Sequence, residues 1–363
     1  MAAQASRQDR AAILAARAAA GAAIQPTAIR NASAMVGRRG MLQLGAAGLA
    51  GLAAPGIARA QDNLLLRGRD GWLFPKWDLS RQTPPEARRR ILQVLGETRR
   101  IFAAGGVDLN ILLIPSRTRI YRDMIPPGTA FPADFQGRYA AGQKGLQDAG
   151  FTIANLAEAF PAQRQRQPDQ PLFFKTDTHW TPGGCAIAAH AMAMQLARNP
   201  ALSPQTGQVR SAVTYREDEH AGDLRNLLPA ADKRNFQDPH FWQPVITPQV
   251  TAASGGASLL DEPRADVAAV GSSFFHQRYG LAAMIGYHLN RSVALAWNVH
   301  QIGPYKTMLD YVGSSGFQQG RPKAIVWGCH ELDFESPPDR SATWGQNAMA
   351  DDVFLNRMKQ VVG

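Results

Sequence analysis

The chain has 363 residues, of which 45% are hydrophobic, and its formal net charge is +10. That length suits one large domain or two small ones, and the hydrophobic fraction excludes a disordered protein. Residues 1–60 contain seven arginines and one acid, so the remainder carries only +4. The remainder lacks a basic stripe interleaved with aromatic residues, which argues against nucleic-acid binding. No run of 18 apolar residues follows residue 60, so no membrane span is predicted there.

The N-terminal segment has the pattern of an export signal. Arg38-Arg39 precedes an uncharged run rich in Gly, Ala and Leu over residues 44–57, and Ala58-Arg59-Ala60 ends it. Paired arginines, a short apolar run and a small-x-small site are typical of a twin-arginine signal peptide. We therefore predict cleavage before Gln61 and a periplasmic location. A membrane anchor is the alternative, but the run is short and contains a proline.

Residues 1–34 lie upstream of this signal, and Met35 would begin a signal of ordinary length. Residues 1–34 are either a long leader or an overextended start, and residues 61–363 are predicted to form a single domain. In the oxidising periplasm, Cys185 and Cys329 could form a disulfide. Each cysteine also lies in an apolar run, where a buried free thiol is common.

The first part of the mature chain predicts a helix followed by a buried strand. Thr83 can cap the helix, with Pro84 in its first turn and Glu86 at the third position. The following segment, residues 107–115, is an apolar run that predicts a buried strand. The apolar stripe of the helix consists of Ile91, Leu95 and Phe102.

Shorter elements alternate along the rest of the chain. We predict a helix near residues 139–149, a strand over 151–155, a loop over 161–171, a strand over 172–174 and a helix from Thr181-Pro182 to about residue 198. Residues 199–262 are rich in Pro, Gly, Asn and Asp and predict long loops with short strands. The C-terminal part predicts strands over 266–270, 293–297 and 323–327, and helices over 275–289 and 304–312.

This alternation predicts the fold class, an α/β domain with a mostly parallel sheet and helices on both faces. In such sheets, ligand sites form at the carboxyl ends of the strands. The rule selects three places in this sequence: the residues after Phe174, the residues after Val270 and the residues after the strand at 293–297.

Two acid–base residues follow the first of these strands. Asp177 and His179 are two positions apart, and in an extended chain such residues point to the same face. A carboxylate there can hold one imidazole nitrogen and leave the other free as a base, which is half of a catalytic triad. A surface Asp beside a capping His is the alternative. A metal pair would need a third ligand, and neither His190 nor His276 has the spacing of a known site, so we predict no metal.

A serine motif follows the second strand. Val270-Gly271-Ser272-Ser273-Phe274 leads from a strand into a predicted helix, where a serine presents its hydroxyl above the sheet edge. The backbone N–H of that serine can stabilise an oxyanion. The motif lacks the second glycine of the G-x-S-x-G elbow, and a helix N-cap is the alternative role. The pattern alone does not choose between Ser272 and Ser273.

Together these motifs resemble the AlgJ/AlgX (DHHW) family of SGNH-hydrolase-like proteins. The shared blocks are D-T-H-W at residues 177–180, G-S-S at 271–273, G-R-D-G-W-L-F at 68–74, P-S-R-x-x-I-Y at 115–121 and G-D-L at 222–224. The resemblance spans residues 64–335. It implies a permuted SGNH-hydrolase-like fold with Ser273 as nucleophile, His179 as base and Asp177 as the residue that orients the base.

The resemblance also implies a function. Members of the family transfer acetyl groups to hydroxyls of exported polysaccharides in the periplasm, and a membrane-bound O-acyltransferase supplies the acetyl group. This chain would then be a periplasmic O-acetyltransferase that forms an acetyl-serine, modifies a polysaccharide such as alginate and needs no metal or diffusible cofactor. Candidate substrate-binding residues are Tyr279, Trp297, Asn298 and Trp180, each of which could instead serve packing or capping.

Three positions depart from the family pattern, and two other functions stay open. Arg117 replaces a lysine, Gly328 stands where an acid is usual, and Ser272 stands where Asp or Thr is common. The short stretch after residue 340 predicts a form without the carbohydrate-binding module of AlgX-like members. A carbohydrate acetylesterase would use the same triad, whereas a non-catalytic polysaccharide-binding or assembly protein would keep an idle site.

Overall fold

The computed structural model describes residues 64–80, 82–202, 209–250 and 265–363. The predicted export signal, its cleavage before Gln61 and the choice between Met1 and Met35 as the start fall outside these residues and stay predictions. Within the described ranges, no helix is long and apolar enough to cross a membrane.

Eight strands and eleven α-helices form within the described residues. The strands are β1 (Leu65–Arg67), β2 (Leu73–Pro75), β3 (Asp108–Ile114), β4 (Val209–Asp218), β5 (Phe241–Val250), β6 (Val267–Gly271), β7 (Val293–Trp297) and β8 (Ala324–His330). The helices are α1 (Trp77–Ser80), α2 (Pro85–Ala104), α3 (Arg117–Ile120), α4 (Phe135–Asp148), α5 (Leu156–Arg166), α6 (Pro182–Leu196), α7 (Leu281–Leu289), α8 (Pro304–Val312), α9 (Ser315–Gly320), α10 (Ser341–Trp344) and α11 (Asp351–Val362).

Four parallel strands form the central sheet, in the order β3-β8-β6-β7. Because side chains alternate between the two faces of a strand, each strand contributes to two cores. The core shared with α6 and α7 contains Leu112, Ile114, Val267, Ala269, Leu295 and Val326. The core shared with α2, α8 and α11 contains Ile111, Leu113, Ala268, Val270, Ala296 and Trp327. The predicted α/β class, with helices on both faces of a parallel sheet, is confirmed.

The buried face of α2 is the predicted one, but its N-cap is not. Ile91, Leu95 and Phe102 are all buried, as their spacing predicts. Pro84, however, occupies the N-cap position, and no side chain caps the helix. Thr83 lies one residue further out, where the rigid ring of Pro84 keeps it, and its backbone N–H donates to the carboxylate of Asp134.

The segment between α4 and α6 corrects two predictions. Residues 151–155 form no strand, and α5 extends through Pro161 into the predicted loop. Leu156 and Phe160, one helical turn apart, are both fully buried and hold α5 against the core. The apolar run at 151–155 is short and stays irregular, whereas the burial of Leu156 and Phe160 at helical spacing accounts for the helix that follows it.

The strand predicted at residues 172–174 does not join the central sheet. It makes a single antiparallel bridge, between Phe173 and Trp180. The chain therefore doubles back on itself over residues 172–181, since Thr181 N–H donates to the Leu172 carbonyl at 2.9 Å. The acid–base motif lies in the bend of this small loop and not at the carboxyl end of a sheet strand.

The region from 199 to 262 contains longer strands than predicted. β4 and β5 pair antiparallel over ten residues each, from Val209 opposite Val250 to Asp218 opposite Phe241. Prolines occur within β5, and they are tolerated because a two-stranded ribbon has a free edge on each side. The same prolines made the segment resemble a loop in sequence.

The predicted C-terminal strands and helices are all present, but β6, β8 (Ala324–His330) and the helix that ends at Leu289 differ from the prediction in their bounds. β7 and α8 have the predicted bounds, and β6 is displaced by one residue. The helix predicted from residue 275 begins only at Leu281, after two three-residue 3-10 turns. Gly280 causes the interruption, because its φ of 85° is left-handed and cannot continue a right-handed helix.

The two cysteines are free and buried. Cys185 lies in the core shared with α6 and α7, and Cys329 lies in the core on the other face of the sheet. The sheet separates them, so the disulfide alternative is wrong and the buried-thiol alternative holds. Burial raises the pKa of both thiols well above the ordinary value, which keeps them protonated and unreactive.

Candidate active site

The end of β6 places the serine motif above the carboxyl edge of the sheet. A Cβ on Gly271 would lie 2.7 Å from the Phe275 ring, and one on Gly328 would lie 2.5 Å from the same ring. The two glycines therefore leave room for a fully buried Phe275 between adjacent strands. This packing turns the chain immediately after β6 and puts Ser273 at the first position of a 3-10 turn.

Three side chains form a continuous hydrogen-bonded chain at this edge. His179 Nε2 lies 2.8 Å from Ser273 Oγ, and His179 Nδ1 lies 2.5 Å from Asp177 Oδ1. The backbone N–H of His179 also donates to Asp177 Oδ1 at 2.8 Å. The structure thus brings the three residues predicted for the triad together, in the order nucleophile, base and orienting acid. It also places Ser273, rather than Ser272, against the base.

The carboxylate of Asp177 receives donors on its second oxygen as well. His220 Nε2 lies 2.7 Å from Asp177 Oδ2, and the Asp223 backbone N–H donates to the same atom at 2.9 Å. Burial alone would raise the pKa of Asp177, but the hydrogen bonds from His179 and His220 outweigh burial and hold that pKa well below its ordinary range. Asp177 is therefore a carboxylate across the physiological pH range.

His220 was not among the predicted site residues, and Asp223 was predicted only as part of the G-D-L block. Gly222 explains that block, because a Cβ there would lie 1.9 Å from the Thr176 carbonyl oxygen. The close approach lets the Asp223 carboxylate accept from the backbone and hydroxyl of Thr178, at 2.8 and 2.6 Å. The block therefore braces the loop that carries Asp177. Nothing in the sequence around His220 marked it as a partner of that carboxylate.

Asp177, His179 and Asp223 also form the one cluster among the described residues with the proximity of metal ligands. One ligand atom from each lies within 4.8 Å of the others. The imidazole nitrogen on that side, Nδ1, is already engaged with Asp177. A cation there would compete with the hydrogen bond that orients the base, so the donor set fits a triad better than a metal centre.

Ser273 and His179 open into a cavity of about 460 Å³. Its wall has mixed charge, since carboxylates of Asp78, Asp223 and Asp333 share it with Arg117 and the rings of His300 and His330. A larger groove of about 640 Å³, between Trp72, Tyr121 and Pro171, contains none of the triad side chains. We therefore assign the chemistry to the smaller cavity.

Arg117 supports the acid–base loop from inside the protein. Its guanidinium lies over the rings of Trp72 and Phe74, with centroids 5.3 and 5.1 Å away, and Nη2 donates to the Lys175 carbonyl at 3.0 Å. Burial lowers its pKa to about 10, which still leaves it charged at neutral pH. A planar guanidinium suits these ring faces better than an ammonium, which accounts for Arg at this position.

Two of the predicted substrate-binding residues are buried. Trp180 is 0% exposed, and its indole N–H donates to the Phe274 carbonyl at 3.0 Å. Stacking of a sugar on this ring is therefore excluded, and Trp180 instead fixes the backbone beside Ser273. Tyr279 is also buried, and its ring stacks on that of His179 with centroids 5.4 Å apart. It lies against the base and does not face the open cavity.

The other two predicted residues are half-buried and flank the site. The Trp297 indole N–H donates to Gln277 Oε1 at 3.0 Å, and Asn298 Nδ2 donates to Thr307 Oγ1 at 3.3 Å. Trp77, on α1, lines the cavity and keeps part of its surface exposed. Trp77 was not among the predicted site residues, because only the fold brings α1 to the carboxyl edge of the sheet.

The chain is similar to known proteins in both sequence and fold. Residues 65–331 match the family model of the SGNH hydrolase-like domain of the acetyltransferase AlgX. A probable alginate O-acetylase AlgJ from Pseudomonas fluorescens is 26% identical over 273 residues, 72% of this chain and 66% of that protein. The alginate biosynthesis protein AlgX of Pseudomonas putida is 27% identical over 282 residues, 74% of this chain and 57% of that protein.

Solved structures show the same fold. The O-acetyltransferase domain of Pseudomonas putida AlgJ superposes with a TM-score of 0.65 and 22% identity, covering 82% of this chain and 98% of that domain. Pseudomonas aeruginosa AlgX gives a TM-score of 0.59 and 18% identity, covering 81% and 66%. The family model covers most of the chain and contains all three residues of the predicted triad. This chain therefore belongs to the AlgX family of SGNH hydrolase-like acetyltransferase domains.

Proposed function

We propose that this chain is a periplasmic O-acetyltransferase that works through an acetyl-enzyme at Ser273. The observation that carries the proposal is the hydrogen-bonded chain from Ser273 through His179 to Asp177, which opens into a cavity. The family relationship supports acetyl transfer as the reaction type. The acetyl-serine and its residue roles are our assignment.

In the first half-reaction, Ser273 Oγ attacks the carbonyl carbon of an acetyl donor while its proton passes to His179 Nε2. The Asp177 carboxylate stabilises the imidazolium that forms. The Ser273 backbone N–H, at the first position of the 3-10 turn, is our candidate donor to the oxyanion. Collapse of the tetrahedral intermediate breaks the bond to the leaving group, which takes the proton from His179, and leaves acetyl-Ser273.

In the second half-reaction, a sugar hydroxyl gives its proton to His179 Nε2 and attacks the acetyl carbonyl carbon. Collapse then breaks the ester bond to Ser273 Oγ, which recovers the proton from His179. The products are an acetylated sugar and free enzyme. Every proton and electron pair is accounted for by these three side chains and the two substrates.

Exported polysaccharide is the proposed acceptor, and an alginate-like polyuronate is the first candidate because the relatives named above are alginate proteins. A membrane-bound O-acyltransferase is the proposed source of the acetyl group. Both substrates would meet the enzyme after export, which is consistent with the twin-arginine pattern at Arg38-Arg39.

The test uses the purified protein, 4-nitrophenyl acetate as donor, and oligouronates or glucan oligomers as acceptors. We expect acetyl-Ser273 in the peptide mass spectrum and acetylated oligomer among the products. To compete with water at about 55 M, the acceptor must be held with a large effective molarity. If only free acetate forms with every acceptor, the acetylesterase alternative replaces this proposal. If no acetyl-Ser273 forms at all, the catalytic proposal fails.

Two tryptophans give a matched pair for locating the acceptor. Trp77 lines the cavity, whereas Trp297 lies beside it and bonds to Gln277. Because sugar rings stack on exposed aromatic faces, we expect Trp77→Ala to reduce acetylated oligomer more than it reduces background hydrolysis. The same measurement on Trp297→Ala tests the role predicted for that residue from the sequence. A loss confined to Trp297→Ala would place the acceptor on the β7 side of the cavity.

A further inference from the structure

Asp177 has two donors on each of its oxygens, and His220 provides one of them. Oδ1 accepts from the ring and backbone of His179, whereas Oδ2 accepts from His220 Nε2 and the Asp223 backbone N–H. Donors on both oxygens prevent the carboxylate from rotating away from the base. We propose that His220 is a positioning residue that keeps Asp177 aligned with His179 during catalysis. This inference rests on the proposed acetyl-transfer function.

The surroundings of His220 determine its protonation. Its side chain is 3% exposed, and Nδ1 is buried without a hydrogen-bond partner. A doubly protonated ring would bury an unpaired N–H together with a positive charge, which is costly. Nε2 is therefore the nitrogen that directs a hydrogen at Asp177 Oδ2, whereas Nδ1 meets no acceptor. His220 thus acts as a hydrogen-bond donor and not as a second base or a counter-ion.

Aromatic packing fixes the direction of this donor. The His220 ring stacks on Phe174 with centroids 3.8 Å apart and planes 23° apart, and Phe241 packs edge-on at 6.4 Å. The carboxylate of Asp238 accepts hydrogen bonds from the backbone N–H groups of Lys175 and Thr176, in the loop that leads to Asp177. The ring can therefore neither tilt nor slide without breaking an apolar contact.

The G-D-L block delivers this donor to the triad. His220 precedes Gly222 by two residues, and only a glycine can approach the Thr176 carbonyl as closely as Gly222 does. One short loop therefore supplies both donors to Asp177 Oδ2. The block therefore contributes to acid–base catalysis by holding these donors against Asp177, a role that its sequence did not predict.

Removal of the donor should have two effects. Asp177 becomes free to rotate, so kcat/KM for 4-nitrophenyl acetate should fall by about 10- to 100-fold, the range expected for a hydrogen bond to a charged group. The carboxylate also loses a neutral donor and attracts a proton on His179 more strongly. The acid limb of the pH–rate profile should therefore move to higher pH.

The experiment compares His220→Phe with His220→Gln. Phenylalanine keeps a flat ring on Phe174 and removes the donor, whereas the glutamine amide can place an N–H where Nε2 was. We expect the loss and the shifted acid limb in His220→Phe, and recovery of most activity in His220→Gln. His240→Phe is the matched control, because His240 lies in the same stretch of chain with a side chain that is 57% exposed.

Three outcomes overturn the positioning role. They are an unchanged kcat/KM in His220→Phe, an equal loss in His220→Phe and His220→Gln, and a loss of activity with an unmoved acid limb. The last two would assign His220 to packing alone. If wild-type protein forms no acetyl-Ser273, the proposed function fails separately. Imidazole ¹⁵N spectra then decide on His220: a hydrogen on Nε2 supports the assignment, and a hydrogen on Nδ1 overturns it.

Discussion

The triad is assembled from two regions that are held in different ways. The nucleophile arm, residues 267–275, consists of a buried parallel strand and a turn packed around Phe275. The acid–base arm consists of residues 172–181 with the loop at 219–223, lies outside the central sheet and is held by hydrogen bonds at Thr176, Asp177 and Thr178. Apolar burial thus positions the serine. The acid–base arm has buried apolar residues on both sides of its bend, such as Phe173 and Trp180, but the bend that carries Asp177 and His179 is positioned by a polar network.

This difference has consequences for substitution. A buried strand is held by many weak apolar contacts, so the loss of one contact has a small effect on its position. A buried polar network is less tolerant, since each unmade hydrogen bond leaves a group without its partner. Away from the reacting atoms, we therefore expect the acid–base arm to be more sensitive to small changes than the nucleophile arm.

The largest effects should come from the two residues that exchange the proton. Ser273→Ala and His179→Ala should each abolish acetyl-enzyme formation, by about 10⁶-fold if the triad acts as a unit. Both variants should unfold at the wild-type temperature, as circular dichroism would show. Ser272→Ala is the control and should keep most activity, because the serine hydrogen-bonded to the base is Ser273. An active Ser273→Ala beside an inactive Ser272→Ala would reverse the nucleophile assignment.

Asp177→Asn should lower kcat/KM by about 10⁴-fold, as the corresponding change does in the serine-protease triad. The structure supplies the reason. Both oxygens of Asp177 accept hydrogen bonds from two donors, so an amide NH₂ must face donors whichever way it is turned. Rates with 4-nitrophenyl acetate measure the effect. A loss below about tenfold would mean that the acid–base arm does not depend on this carboxylate.

Gly222→Ala tests the acid–base arm without touching a reacting atom. The new Cβ would collide with the Thr176 carbonyl, so residues 176–179 must move. A displacement of about 1 Å can cost roughly 10²-fold in rate, and we expect a loss of that order in kcat/KM. Gly137→Ala is the control, because open space surrounds that position on α4. Equal activity in the two variants would show that the loop can shift without consequence.

The sequence predicted the nucleophile arm better than the acid–base arm, for a physical reason. Buried strands such as β6 and β7 are apolar runs whose pattern is local, so their bounds were predicted to within one residue. The association of Ser273 with His179 rested on family resemblance, since 94 residues separate them. A separation of that length does not predict that the two side chains lie within hydrogen-bonding distance.

The contacts that support the acid–base arm could not be predicted. His220 bonds to Asp177, which lies 43 residues earlier in the chain. It follows β4, in a region that the sequence predicted to be mostly loops. Trp180 was misassigned because its place beside the base suggested exposure, whereas the bridge with Phe173 turns it into the core. Both cases depend on long-range packing, which a single sequence does not encode in any local pattern.

The wall of the cavity extends the comparison from activity to stability. Asp78 is buried there and accepts a hydrogen bond from Thr118 Oγ1 at 2.7 Å. Burial raises its pKa to about 6, against an ordinary value of 3.8. Since the folded state binds this proton more tightly than the unfolded state, the stability that protonated Asp78 contributes is lost as the pH rises through about 6.

Asp78→Asn should therefore stabilise the protein above about pH 6.5, by at most about 3 kcal/mol, and have little effect near pH 4. The Asn side-chain carbonyl can still accept from Thr118. Urea denaturation at the two pH values measures the difference. Asp310→Asn, at a half-exposed carboxylate paired with Lys306, should change stability by less than about 1 kcal/mol. If Asp78→Asn destabilises the protein at neutral pH, the carboxylate is instead a stabilising partner of the nearby Arg117 charge, and the polar wall contributes to the fold.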